Sequence, residues 1–251
     1  MLSTTKRRVI KIGAVLFWLL LWLLASLLIG EELFLPSPIK VLKTLFSLVF
    51  ESSFWASIFF SLKRVAIGFL LSLLIAICLA ILSYRYKWFE FLIEPMIKTI
   101  KATPVASIVI LILVWISSRN LSVIVAMLIV LPVIYTNVLE GLHATDKNLL
   151  EMAKMYKIKP MKKAMHIYLP SLAPYYLSGL KIALGLSWKS AIAAEVIGLP
   201  DGSIGDRLYE AKVYFSTPDL FAWTLVIIVL AVVFERVCLR VSERLVERVS
   251  G

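Results

Sequence analysis

Long runs without charge, rather than a short alternation of apolar and polar residues, organise this chain. Ile12–Gly30, Val65–Leu82, Ala102–Ser118, Leu121–Leu139 and Leu220–Phe234 contain no Asp, Glu, Lys or Arg. Crossing the hydrocarbon of a bilayer takes about 20 residues, within a range of about 17–25. The last run is short, but Glu235 and Arg236 follow it, where long side chains reach the interface. Ser171–Ala194 is interrupted only by Lys181 and Lys189 and reads as a further span. Thr44–Leu62 carries Glu51, Ser52 and Ser53 and follows Pro36 and Pro38. It reads as an amphipathic helix on the outer interface, because a seventh span would reverse every later loop. The expectation is an all-α membrane protein with six transmembrane helices in a single domain over residues 1–251.

Composition strengthens this picture. The 251 residues are 61% hydrophobic and 17% charged, with a mean hydropathy of +0.92. A soluble domain holds about 45–50% apolar and about 25% charged residues. Disorder, fibrous repeats and an ordinary water-soluble enzyme are excluded. The net charge of +11 fits either a nucleic-acid or lipid-binding patch, or basic loops held on one side of a membrane.

Position decides between the two. With six spans and the N-terminus inside, the inner segments hold 18 of the 27 basic residues and a net charge of +10. The outer segments hold seven basic and seven acidic residues. This is the positive-inside asymmetry, and it sets both termini in the cytoplasm and leaves no nucleic-acid patch. Lys6-Arg7-Arg8 could open a signal peptide, but the apolar run behind it exceeds about 15 residues and no A-x-A site follows. The first span is therefore expected to stay in place. Cys78 and Cys238 lie within apolar stretches, and His143 and His166 stand far apart, so neither a disulfide framework nor a metal cluster is expected.

The inner loop from His143 to Pro170 is too long for a plain connection. Asp146 can cap a helix running through Glu151 and Ala153, with Pro160 as its break. A second short helix can follow over Lys162–His166, stopped at Leu169-Pro170. On composition, this basic element is either an interfacial helix pair held by anionic lipid or a protein-docking element.

Its spacing is more specific. Glu151-Met152-Ala153, three residues, Lys157, nine residues, then Ile167-Tyr168-Leu169-Pro170 resembles the EAA loop of binding-protein-dependent ABC importer permeases. That motif reads E-A-A, three residues, G, nine residues, I-x-L-P. Met152 stands where the motif has alanine and Lys157 where it has glycine, which puts the turn between the two helices in question. The segments Leu35-Pro36-Ser37-Pro38, Gly179–Trp188 and Ala193-Ala194-Glu195-Val196-Ile197-Gly198 are similar to nitrate/sulfonate/taurine-type members. The resemblance implies an ABC importer permease fold whose cytosolic loop, about residues 143–170, couples to ATPase subunits through Glu151, Met152, Ala153, Lys157, Ile167, Leu169 and Pro170. It also implies an extracytoplasmic solute-binding protein, a second permease copy (a homodimer is expected), and the cell (inner) membrane of a prokaryote, with lipid around the chain.

Charged groups inside a span are costly and mark functional hypotheses. Lys181, Trp188 and Glu195 recur every seven residues, with Gly185 between them and Lys189 beside the stripe. Three readings stay open. Lys181 snorkels to the inner interface, or Lys189 and Glu195 form a structural pair, or the group lines a translocation path that attracts an anion. Outside, the turn-rich Gly198–Gly205 segment leads to a short helix over Leu208–Phe215. That segment is either a gate or platform, or an ordinary surface loop.

No G-x-x-x-x-G-K-[ST], H-E-x-x-H, C-x-x-C or G-x-S-x-G is present. No catalytic residue, metal site or cofactor is therefore expected on this chain. ATP and Mg would belong to a separate subunit. The competing class is a self-sufficient secondary transporter or channel, whose mark would be inverted repeats with broken spans. The solute stays open among sulfonates, taurine, nitrate, bicarbonate and pyrimidine precursors.

Overall fold

The computed structural model describes residues 4–250, with side chains for residue 10 and residues 12–246. The side chains of Lys6, Arg7, Arg8, Lys11, Glu247 and Arg248, counted in the charge balance, lie outside the described residues. Among the described residues every regular element is helical. The helices are α1 (Thr4–Ile29), α2 (Pro38–Val49), α3 (Ser52–Arg85), α4 (Lys87–Ala102), α5 (Val105–Leu113) and α6 (Ser118–His143). They continue with α7 (Lys147–Met155), α8 (Pro160–Lys163), α9 (Leu169–Gly198), α10 (Ile204–Val213) and α11 (Thr217–Ser250), with a π-helical turn, Ala164–Tyr168, joining α8 to α9.

Segments of α1, α3, α6 and α11 are long and apolar enough to cross a membrane. The 30-residue α9 would extend about 45 Å, long enough to cross despite its charges. The expected span Ala102–Ser118 is not one helix. α4 and α5 meet at a 104° bend, because Pro104 lacks an N–H and holds Thr103 extended at φ −79°, ψ 128°. The nine residues of α5 cover about 14 Å alone, so any crossing here is a broken one.

The expected interfacial helix Thr44–Leu62 also divides. Ser37 caps α2 through the Lys40 N–H, with Pro38 in the first turn. The chain then breaks at Phe50-Glu51, and Ser52–Leu62 becomes the first three turns of α3. Ser52 is exposed and Ser53 half-buried, whereas Ser57 and Ser61, further along α3, are buried.

They begin a stripe. Ser57, Ser61, Val65, Gly68, Ser72, Ala76, Ala80 and Ser83 are all buried and recur every three or four residues along α3. Small side chains let backbones approach closely where no water drives association. Gly68 sits so near α6 that an added Cβ would lie 2.4 Å from the Val123 carbonyl oxygen. Ser72 donates to the Met127 carbonyl at 3.0 Å, and Tyr135 donates to Ser83 at 2.9 Å. The opposite face of α3 exposes Phe59, Leu70 and Leu74, a lipid-facing composition. α6 is thus the central helix, flanked by α3 and α9, while α10 and α11 close the bundle over α9.

Gly68→Ala is expected to lower the thermal midpoint in detergent, with an overpacking cost of about 1–3 kcal/mol. Gly13→Ala, where the added methyl meets open space, should leave the midpoint unchanged or slightly raised. Equal behaviour of the two variants would refute the close α3–α6 contact.

Candidate functional site

The inner loop is built as two helices, but not with the expected boundaries. The Asp146 carboxylate accepts from the Asn148 N–H at 2.8 Å and caps α7. α7 ends at Met155, short of Pro160, in a doubly bonded C-terminal turn. The Lys157 N–H donates to the Lys154 carbonyl and the Ile158 N–H to the Ala153 carbonyl, the pattern of a Schellman motif. That motif requires a left-handed residue at Lys157, and its φ is +50°. The lysine therefore adopts the conformation that glycine takes without strain, and the turn survives the substitution.

Pro160 starts the next helix instead of only ending the previous one. The expected stop at Leu169-Pro170 does not occur. At the π-turn the Leu169 N–H reaches the Ala164 carbonyl, five residues back, which shifts the hydrogen-bond register. Pro170 then falls in the first turn of α9, where its missing N–H costs little. The Ser171 hydroxyl takes up the Ile167 carbonyl at 3.0 Å. Residues 160–198 thus form one nearly continuous helical rod.

At the tip, Met152, Met155, Tyr156 and Met161 are exposed, an apolar cluster of the kind that marks an interaction surface. Ala153 and Ile167 are buried, Leu169 is half-buried, and Lys157 and Pro170 are exposed. Glu151 is exposed in the middle of α7, so it caps nothing. Among the described residues it forms no ion pair. It lines a groove of about 720 Å³ with Arg85, Lys154, Lys157 and Lys163.

The five charged-span residues separate. Lys181 and Lys189 are exposed and Gly185 is half-buried. With Ser178 and Ala193 they form one face of α9 at near-four-residue spacing. Trp188 and Glu195 point inward, 1% and 0% exposed. A seven-residue repeat drifts about 20° per step on a straight helix, and here the drift carries the stripe from the open face under α11 and α10. Trp188 packs at 5.9 Å from the Phe234 ring. The signal for the exposed set was the i, i+4, i+8 spacing of Lys181, Gly185 and Lys189.

Two further polar groups lie at a similar depth and were missed. Lys101, assigned to an inner loop, ends α4 and reaches the Thr136 hydroxyl at 3.4 Å. Thr136 lies seven residues, about 10 Å, from the loop end of α6. Its neighbour Asn137 packs so tightly on Gly179 that an added Cβ there would lie 2.7 Å away. Lys101 thereby stands at the depth of Ser178–Lys181, beside the α4–α5 bend. None of the three lysines is ion-paired among the described residues.

At the other end of α9, Glu195 is an anchor. Its Oε2 accepts from Ser61 of α3 at 2.7 Å and from the Gly205 N–H of α10 at 3.3 Å. The Ser61 oxygen accepts in turn from the Ile204 N–H at 3.0 Å, and Ser122 of α6 stands beside the carboxylate. A carboxylate at a helix N-terminus satisfies orphan N–H groups and the helix dipole. The turn-rich Gly198–Gly205 segment is thus fastened onto the bundle, and Lys189 does not pair with Glu195.

Comparison with known proteins agrees with this architecture. The family model described as "Binding-protein-dependent transport system inner membrane component" matches residues 68–249. A Bacillus subtilis protein named as a candidate aliphatic sulfonates transport permease is 27% identical over 79% of this chain and 71% of its own length. A formylaminopyrimidine transport permease protein of Halalkalibacterium halodurans is 28% identical over 82% and 84%. A nitrate import permease protein of Synechococcus elongatus is 26% identical over 77% and 73%.

Lys157→Gly is expected to relieve about 1 kcal/mol of left-handed strain. Hydrogen exchange at the Lys157 and Ile158 amides should slow by about fivefold. Faster exchange would show that the lysine is not strained there.

Proposed function

We propose that this chain, which belongs to the binding-protein-dependent transport system inner membrane components, forms the translocation path of an ATP-driven importer for a small solute, in company with separate ATPase subunits. Membership of that family makes it a membrane-embedded permease of ABC transporters, related to nitrate and sulfonate permeases. The finer reading has six passes, with α4 and α5 as one broken crossing, and both termini on the cytosolic side. The inner charge of +10 counted from the sequence supports that orientation.

One observation carries the coupling reading. α7 is a capped helix with an exposed Met/Tyr tip, joined through the Lys157 turn to a rod that also bears the lysine face. A push on such a tip by a moving partner displaces a rigid body, whereas a floppy connection would absorb it. Glu151, unpaired and exposed, is then available to a basic group of the ATPase. The binding protein would dock at the opposite end, around α2 and α10, and a second copy of the chain would face α9.

The solute class we infer is a small anion. Lys101, Lys181 and Lys189 are exposed on the protomer at membrane depth, where an uncompensated charge is expensive. A water-filled path between two copies would hydrate them and draw anions toward it. Relatives named for sulfonates and nitrate support this class.

Two outcomes test the proposal. Glu151→Arg should leave the fold and membrane insertion intact while ATP hydrolysis continues without uptake; normal uptake by this variant, with the cognate ATPase in vesicles, would refute the coupling role. Lys189→Met should reduce anion uptake by about tenfold, equivalent to ~1.4 kcal/mol, with subunit association unchanged. Loss of association instead would make Lys189 a structural residue.

A further inference from the structure

A crevice of about 580 Å³ opens between α3, α6, the π-turn, the start of α9 and the end of α11. Its wall is almost wholly apolar, with Ile77, Ile81, Leu142, Leu172 and Ala173 among the lining residues. It runs from Ile77 to Arg85, eight residues along α3, or about 12 Å. Depth follows from the aromatic residues: Tyr84, Tyr168 and Tyr176 also line it, and Trp88 is exposed just past the end of α3. Tyrosine and tryptophan concentrate where acyl chains give way to headgroups.

Arg85 lines this crevice and also the basic groove under α7. Lys163, in the groove, lies 5.5 Å from the ring centre of Tyr168, in the crevice. An apolar slot therefore continues into a site with four basic side chains, Arg85, Lys154, Lys157 and Lys163, against the single acid Glu151. Among the described residues none of the four forms an ion pair with a carboxylate. Such a pairing of slot and charge matches an acyl chain with an anionic headgroup above it.

We infer that one anionic glycerophospholipid of the cytosolic leaflet occupies this site, an acyl chain in the crevice and its phosphate between Arg85 and Lys163. The lipid would sit beneath the turn from α7 to α8 and tie the loop to the membrane surface, leaving the Met/Tyr tip outside. A neutral lipid would fill the slot but leave the cations unpaired. The inference rests on the cytosolic orientation proposed above for the loop.

Native mass spectrometry of the full chain, exchanged in detergent against equal phosphatidylglycerol and phosphatidylcholine, tests it. The wild type should retain one lipid per chain, with phosphatidylglycerol preferred by at least about fivefold, the effect of one basic side chain near a headgroup. Arg85→Gln with Lys163→Gln should bring the preference close to one. Ile81→Trp, at an exposed rim position, should reduce retention of both lipids while the thermal midpoint is kept, and Ala173→Trp serves as the second filling variant. Equal retention of the two lipids by the wild type would overturn the inference. So would an unchanged preference in the double variant, or separation of a subunit pair by Ala173→Trp with lipid still bound. Co-purification of the ATPase with the wild type is read separately. Its failure beside a persisting lipid preference would remove the functional reading and leave the lipid site, whereas its success without a preference would remove only the lipid site.

Discussion

In a bilayer every backbone polar group must find its partner within protein, and the stretch from Pro160 to Gly198 stays helical across two internal prolines, Pro170 and Pro174. One π-turn absorbs Pro170, and the Ser171 hydroxyl takes up a carbonyl of that turn. Had the helix broken at Leu169-Pro170, the inner loop would hang from a hinge. Instead α7 is joined by the short Lys157 turn to the rod that carries Lys181, Lys189 and, near its outer end, Glu195. The position of each site follows from that continuity.

The rod is held differently at its two ends. At the outer end Glu195 ties α3, α9 and α10 together through one buried carboxylate. At the inner end the packing is apolar, with Leu142, Tyr84, Tyr168 and Leu172 in one cluster, and the large apolar side chains of the tip face outward. The broken helix between α3 and α6 provides the contrast. Its bend at Thr103-Pro104 lies near the lysine face and leaves helix ends at membrane depth, which is tolerated only beside protein or a water-lined cavity.

Much of this was legible in the sequence, for reasons that differ by element. Charge-free runs located α1, α6 and α11 because the bilayer imposes length and apolarity directly. The spacing around Glu151 and Lys157 located the turn between the two inner helices, since a left-handed residue fixes which position must bend. Absence of charge was a poor guide at Ala102–Ser118, where composition outweighed the Thr103-Pro104 signal. Glu51, Ser52 and Ser53 sit at the real break between α2 and α3, whereas Ser57 and Ser61, which begin the close helix contact, carried no signal in a reading by charge. The Ser61–Glu195 bond joins residues 134 positions apart, and only the folded bundle brings them together. The seven-residue stripe of Lys181, Trp188 and Glu195 mixed two environments because α10 and α11 cover only its outer half.

The central claim is that this chain is a passive path driven from its α7 tip by a separate ATPase. It is tested most directly by solute uptake into proteoliposomes containing the permease with and without the cognate ATPase, with binding protein outside and ATP enclosed. Uptake that requires the ATPase, ATP and binding protein together is the predicted result. Uptake by the permease alone, driven by an ion gradient and indifferent to ATP, would contradict the account.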